Sequence, residues 1–219
     1  MDKYQFKEEI QIPVDEIILT GDLSIPAQAK GIVVFAHGSG SSRHSSRNQQ
    51  VAQTLQQAGF ATLLFDLLTV EEDRDFNKRF DIDLLTERLV KVTDWLEAEE
   101  RTAELSVGYF GASTGAAATL KAAAQLKDLI KAVVSRGGRP DLAEPLLPQV
   151  ISPTLLIVGS RDHQVIELNQ KAYESLRSER EIRIVEGATH LFEEPGKLEE
   201  VAAMAVEWFN KYLITVAAI

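Results

Sequence analysis

Apolar and polar residues alternate in two stretches near the start of the chain, residues 6–13 and 16–26, with Thr20-Gly21 interrupting the second. A period of two belongs to strands with one buried face, so the two stretches are predicted to form an antiparallel pair. From residue 31 onward the pattern changes. Short, nearly continuous apolar runs at residues 31–36, 60–67, 105–110, 131–135, 154–158 and 181–185 have the character of strands buried on both faces. Helical periodicity lies between and after them. Residues 48–58 place Val51, Leu55 and Ala58 on one face and stop at Gly59, a natural residue just past a helix end. Residues 81–99 present Leu85, Leu89, Val92 and Leu96, and residues 197–212 present Val201, Ala205 and Trp208. Eight strands alternating with helices predict an α/β fold with a mostly parallel sheet and helices on both faces. The apolar end, residues 214–219, has no assigned partner and reads as frayed or docked on a neighbour.

Nothing divides the 219 residues: there is no low-complexity stretch, internal repeat or Pro/Gly/Ser-rich linker, so residues 1–219 read as one domain. The polar start Met1-Asp2-Lys3-Tyr4-Gln5-Phe6 lacks the pattern of a signal peptide, and no apolar stretch reaches membrane-spanning length. The expected location is therefore the cytoplasm, with no membrane partner. A net charge of −10 argues against nucleic acid, whose phosphates would be repelled. The chain has no cysteine, which excludes disulfides and a thiol nucleophile.

The chemistry begins at Gly111-Ala112-Ser113-Thr114-Gly115, between a strand-like run and the helix-favouring Ala116-Ala117-Ala118. Two glycines around a serine suit a strained strand-to-helix turn, because a Cβ at Gly111 or Gly115 would collide with the turn. Ser113 would then stand clear of the sheet. A serine hydroxyl is a poor nucleophile near neutrality and needs a base, which in turn needs a carboxylate to orient it. Asp162, after Gly159-Ser160-Arg161, and His190, after Gly187-Ala188-Thr189, each follow a strand's carboxyl end, the edge of an open parallel sheet where ligands bind. His37-Gly38-Ser39-Gly40 follows another strand. Its glycines let a backbone N–H approach the reacting carbonyl, and the oxyanion hole is assigned to the N–H groups of Ser39 and Thr114. Such a site calls for no cofactor or metal.

These segments, together with Gly159-Ser160-Arg161-Asp162-His163-Gln164-Val165 and Gly187-Ala188-Thr189-His190-Leu191-Phe192, resemble the α/β-hydrolase superfamily and, within it, the dienelactone-hydrolase-like branch. The resemblance runs across nearly the whole chain in the order Ser, Asp, His. It implies an eight-stranded, mostly parallel sheet without a cap domain, and a serine hydrolase acting on small-molecule esters or lactones. A thioesterase, a small peptidase with the same triad, or a binding module with a vestigial one are the alternatives. Dienelactone hydrolases proper usually carry a cysteine nucleophile and a glutamate in the oxyanion segment, where this chain has Ser113 and His37-Gly38-Ser39. Too few residues separate the strands near 135 and 154 to hold a cap, so the site is expected to be open or lidded by short loops, such as the charged one at 71–79.

Arginines supply a second pattern. Arg43 and Arg47 follow the oxyanion segment, Arg136 and Arg139 follow the sixth strand, and Arg161 adjoins Asp162. One reading is an anionic substrate group, a carboxylate held by a guanidinium fork. The other is ion pairing with Asp66, Asp141 and Glu144. Leu191 and Phe192, next to the base, are candidates for the acyl pocket, and Asp141 is a fallback catalytic acid. His37 is expected to tie its own loop, His163 to be structural or solvated, and Glu71-Glu72-Asp73 to be a solvated run. Oligomeric state is left open.

Overall fold

A computed structural model describes residues 3–213. In chain order the elements are β1 (Tyr4–Val14), β2 (Ile17–Pro26), β3 (Ile32–Ala36), α1 (Ser46–Gln57), β4 (Ala61–Phe65), α2 (Phe76–Arg79), α3 (Ile82–Ala98), β5 (Val107–Ala112), α4 (Thr114–Leu126), β6 (Ile130–Arg136), β7 (Thr154–Gly159), α5 (His163–Ser175), β8 (Arg180–Val185) and α6 (Lys197–Tyr212). One eight-stranded sheet runs β1-β2-β4-β3-β5-β6-β7-β8. β1 pairs antiparallel with β2, and β2 with β4, while every other pairing is parallel. This is the α/β-hydrolase arrangement. The apolar tail at 214–219 lies outside the described residues.

Strand residues alternate between two cores, which is why the interior strands are apolar throughout. Ile32, Val34, Tyr109, Val133 and Leu156 face α3, α4 and α5, whereas Val33, Phe35, Phe110, Val134 and Ile157 face α1 and α6. The faces expected of the helices at 48–58, 81–99 and 197–212 are buried at Val51 and Leu55, at Leu85, Leu89, Val92 and Leu96, and at Val201, Ala205 and Trp208, while Ala58 is half-buried. Local capping sets where the helices begin. Ser45 accepts a hydrogen bond from the Asn48 N–H and starts α1 two residues earlier than periodicity suggests, and Asp81 caps α3 through the Leu84 N–H.

The segment 71–79 departs from a plain solvated loop. It folds into a 3₁₀ turn (Glu72–Arg74) and α2. Glu72 is largely shielded there. Burial pushes its carboxyl up, but hydrogen bonds accepted from the Thr69 N–H and from Arg88 together outweigh it and hold the carboxyl below the usual range. Between β6 and β7 there are only two 3₁₀ turns, Pro140–Ala143 and Leu147–Gln149, and no cap covers the sheet edge. Among the described residues, no helix is long and apolar enough to cross a membrane.

Candidate active site

Ser113 occupies the turn between β5 and α4 with φ 51° and ψ −120°. A non-glycine residue in that region carries strain of about 1–3 kcal/mol, so neighbouring structure must impose it. It does so from both sides of the turn: the Ser113 N–H donates to Arg136 O at 3.2 Å, and Ser113 O accepts from the N–H groups of Arg139 and Ala116, each at 3.1 Å. The two flanking glycines are obligatory for space. A Cβ on Gly111 would lie 2.5 Å from Ala116 Cα, and one on Gly115 would lie 2.2 Å from Ala36 O. The first contact lets α4 leave the strand abruptly, and the second lets its start press against the end of β3.

Asp162 and His190 lie just past the carboxyl ends of β7 and β8. Asp162 sits at the N-cap position of α5 but makes no capping bond. Its Oδ2 instead accepts from His190 Nδ1–H at 2.6 Å. That bond selects the tautomer with Nε2 unprotonated, the form a general base needs. The Asp162 side chain is 15% exposed and that of His190 38%, so the acid is shielded and the imidazole reaches the cleft. Asp141 is engaged elsewhere, with both carboxylate oxygens on Arg139 at 2.9 and 2.7 Å. His163 opens α5 on the surface.

His37 ties its loop as expected: Nδ1 bonds Gly38 O at 3.0 Å, and Nε2 accepts from the Leu67 N–H at 3.2 Å. Burial holds its imidazole below the usual value, although Gly38 O and the nearby Asp66 and Asp73 pull the other way. Gly38 abuts Ser113 so closely that a Cβ there would be 3.2 Å from Ser113 Cβ. The Ser39 N–H is not idle: it donates to Thr114 Oγ1 at 2.8 Å.

A cleft of about 250 Å³ is walled by Ser39, Arg47, Asn48, Ser113, Arg136 and His190, with Leu191 at its edge. Its volume suits a small acyl group, below the range for drug-sized ligands. A larger groove of about 340 Å³, between β2 and α1, is lined by Glu8, Glu9, Asp22 and Gln56 and contains none of the triad. No group of three or more His, Asp or Glu side chains among the described residues is placed to hold a metal ion.

The five arginines do not act as a cluster. Arg43 is consumed by Glu9, Asp22 and Asp66 at 2.8, 2.8 and 3.1 Å, which ties β1, β2 and the end of β4 together. Arg139 pairs with Asp141, and Arg161 is exposed in the loop after β7. None of the three lines the cleft. Arg47 does, while pairing with Glu193 at 2.7 Å. Arg136 is different. It is 5% exposed, has no carboxylate partner among the described residues, and makes one side-chain bond, Nη2 to Asn48 Oδ1 at 3.2 Å. Its Nε is buried without a partner. Burial, followed by the charge of Arg47, lowers it to about 10, still protonated near neutrality. Phe192 does not line this cleft. It is 1% exposed with φ 57°, turned into the core under α6 and beneath the Arg136 guanidinium, while Leu191 faces the cleft. Asn48 was missed in the sequence, although a polar residue three before Val51 on the inward face of α1 was a signal.

The sequence matches the model of the dienelactone hydrolase family over residues 19–216. A protein of Mycobacterium tuberculosis, provisionally named phosphoribosyl transferase, is 57% identical over 206 residues, covering 94% of this chain. That match takes up 46% of the mycobacterial protein, so the chain spans under half the length of the curated relatives it matches. Among solved structures, a dienelactone hydrolase from Anabaena variabilis superposes with a TM-score of 0.94 at 55% identity, covering 97% of this chain and 100% of that one. An α/β serine hydrolase without lid from Xanthomonas campestris gives 0.79 at 20% identity, with 97% of each chain covered, and shares the fold.

Proposed function

The chain belongs to the dienelactone hydrolase family, and from that premise we propose that it is a serine hydrolase that cleaves small carboxyl esters or lactones through an acyl-enzyme on Ser113. The observation that carries the reading is the 2.6 Å bond from His190 Nδ1 to Asp162 in a cleft that His190 shares with the strained Ser113. Ser113 Oγ adds to the carbonyl carbon as its proton passes to His190 Nε2. The negative charge on the carbonyl oxygen falls where the Thr114 N–H, first in α4 and without an intrahelical acceptor, is available. Collapse expels the alcohol, which takes the proton back from His190. Water, deprotonated by the same imidazole, then releases the acid and restores Ser113. For a lactone, the expelled alcohol stays attached to the acyl group until that second step.

Within this reading, the preferred substrates carry a negative charge, a carboxylate near the reacting carbonyl. A buried guanidinium without a counter-ion at the cleft wall supports this, since burying an unpaired charge is costly unless something neutralises it. The rival chemistries use the same residues. Hydrolysis rates for an ester, a thioester and an amide of one acyl group, each with Ser113→Ala as the blank, separate them: fastest turnover of the ester is expected. A preference for the thioester or amide at equal acyl group would replace the esterase reading. The mycobacterial name describes chains more than twice as long and adds no residue to this site.

A further inference from the structure

Thr114 is the first residue of α4 and is buried. The Ser39 N–H, the group expected to meet the substrate's carbonyl oxygen, donates to Thr114 Oγ1 at 2.8 Å. A hydroxyl accepts through its lone pairs and donates through one proton. Among the described residues no side chain or backbone carbonyl takes that proton. An N–H pointing at the oxygen polarises the O–H and strengthens it as a donor. Thr114 directly follows Ser113, and the hydroxyl's partner Ser39 lines the cleft next to Gly38, on which a Cβ would lie 3.8 Å from Ser113 Oγ.

We infer that Thr114 supplies two donors to the developing oxyanion, its backbone N–H and its Oγ–H, and that the Ser39 N–H aims the hydroxyl rather than touching the substrate. The inference rests on the acyl-enzyme reading above and changes which groups hold the charge. A β-branched side chain suits the task, because restricted χ1 freedom keeps the hydroxyl in place.

Thr114→Val removes the hydroxyl, keeps the shape and backbone N–H, and frees the Ser39 N–H. Thr114→Ser keeps the hydroxyl. For both variants and the unmodified protein, kcat and KM with a p-nitrophenyl ester, the inhibition constant of a trifluoromethyl ketone that forms a tetrahedral adduct, and the thermal midpoint are measured. The valine variant is expected to lose about 10²–10³ in kcat, as for removal of one oxyanion donor, with KM nearly unchanged and ketone binding weakened in parallel. The serine variant should recover most of both. Retention of kcat within about threefold in the valine variant would overturn the inference. So would a gain in kcat, which would mark the hydroxyl as an obstruction of the Ser39 N–H, or a loss of kcat with unchanged ketone binding. If the valine variant melts early, Thr114→Ala assayed below its own midpoint gives the same comparison. Failure of the parent reading shows separately, as hydrolysis that survives in Ser113→Ala, and would remove this inference with it.

Discussion

Arg136→Met keeps an apolar stem while deleting the buried charge, and its effects on stability and on catalysis should separate. Burial, followed by the charge of Arg47, pushes Arg136 down to about 10, which corresponds to about 3 kcal/mol by which its surroundings disfavour the charged form. Against that stand a long bond to Asn48 at 3.2 Å and a contact with the Phe192 ring at 5.9 Å. The first contributes about 1.5–3 kcal/mol and the second about 1 kcal/mol. These terms nearly cancel, so the variant should unfold within about 1 kcal/mol of the unmodified protein. A substrate carboxylate, by contrast, loses a charge-assisted hydrogen bond of about 1.5–3 kcal/mol, a fall of roughly 10- to 150-fold in kcat/KM. The assay compares a carboxylate-bearing ester with its neutral isostere, alongside chemical denaturation. Equal losses for both substrates, or destabilisation by more than about 2 kcal/mol, would show that Arg136 serves the fold rather than the substrate.

Two further outcomes follow from the contacts around the triad. Asp162→Asn should cost roughly 10⁴ in kcat by favouring the wrong imidazole tautomer, whereas Asp141→Asn, whose carboxylate is spent on Arg139, should cost under about tenfold; reversed magnitudes would move the acid to Asp141. His37 is kept neutral by burial, so its folded-state pKa lies below that of the unfolded chain. Its contribution is present above about pH 6.5 and is lost as pH falls toward the lower folded value, at up to about 1.36 kcal/mol per pH unit. Stability between about pH 7 and 5 should therefore decline less steeply in His37→Gln, and matching slopes would contradict the assignment.

Backbone geometry was more legible in the sequence than side-chain pairing. The elbow could be read because Gly111 and Gly115 have no sterically allowed substitute, and the strands because burial on both faces leaves uninterrupted apolar runs. Asp162 and His190 were legible for the same reason, since each lies in the short loop that follows such a run. Arginine partners were not. Arg43 meets Glu9 and Asp22 only because the sheet order places β2 beside β4, bringing residues 21 and 34 positions away onto one guanidinium. Phe192 was a cleft candidate only through its place next to His190, and nothing in the sequence announces the positive φ with which it lies buried. Glu72 looked like one of several solvated acids; what distinguishes it is the approach of Arg88 from α3.

The central claim is that Ser113 is the nucleophile and that its reactivity comes from His190 and Asp162. Reaction with a fluorophosphonate, followed by peptide mass spectrometry, tests it most directly, because the reagent bonds to an activated serine oxygen and leaves ordinary serines untouched. A single adduct on Ser113 is expected, absent in Ser113→Ala and strongly slowed in His190→Ala. Labelling at another serine, or undiminished labelling of Ser113 without His190, would contradict the account.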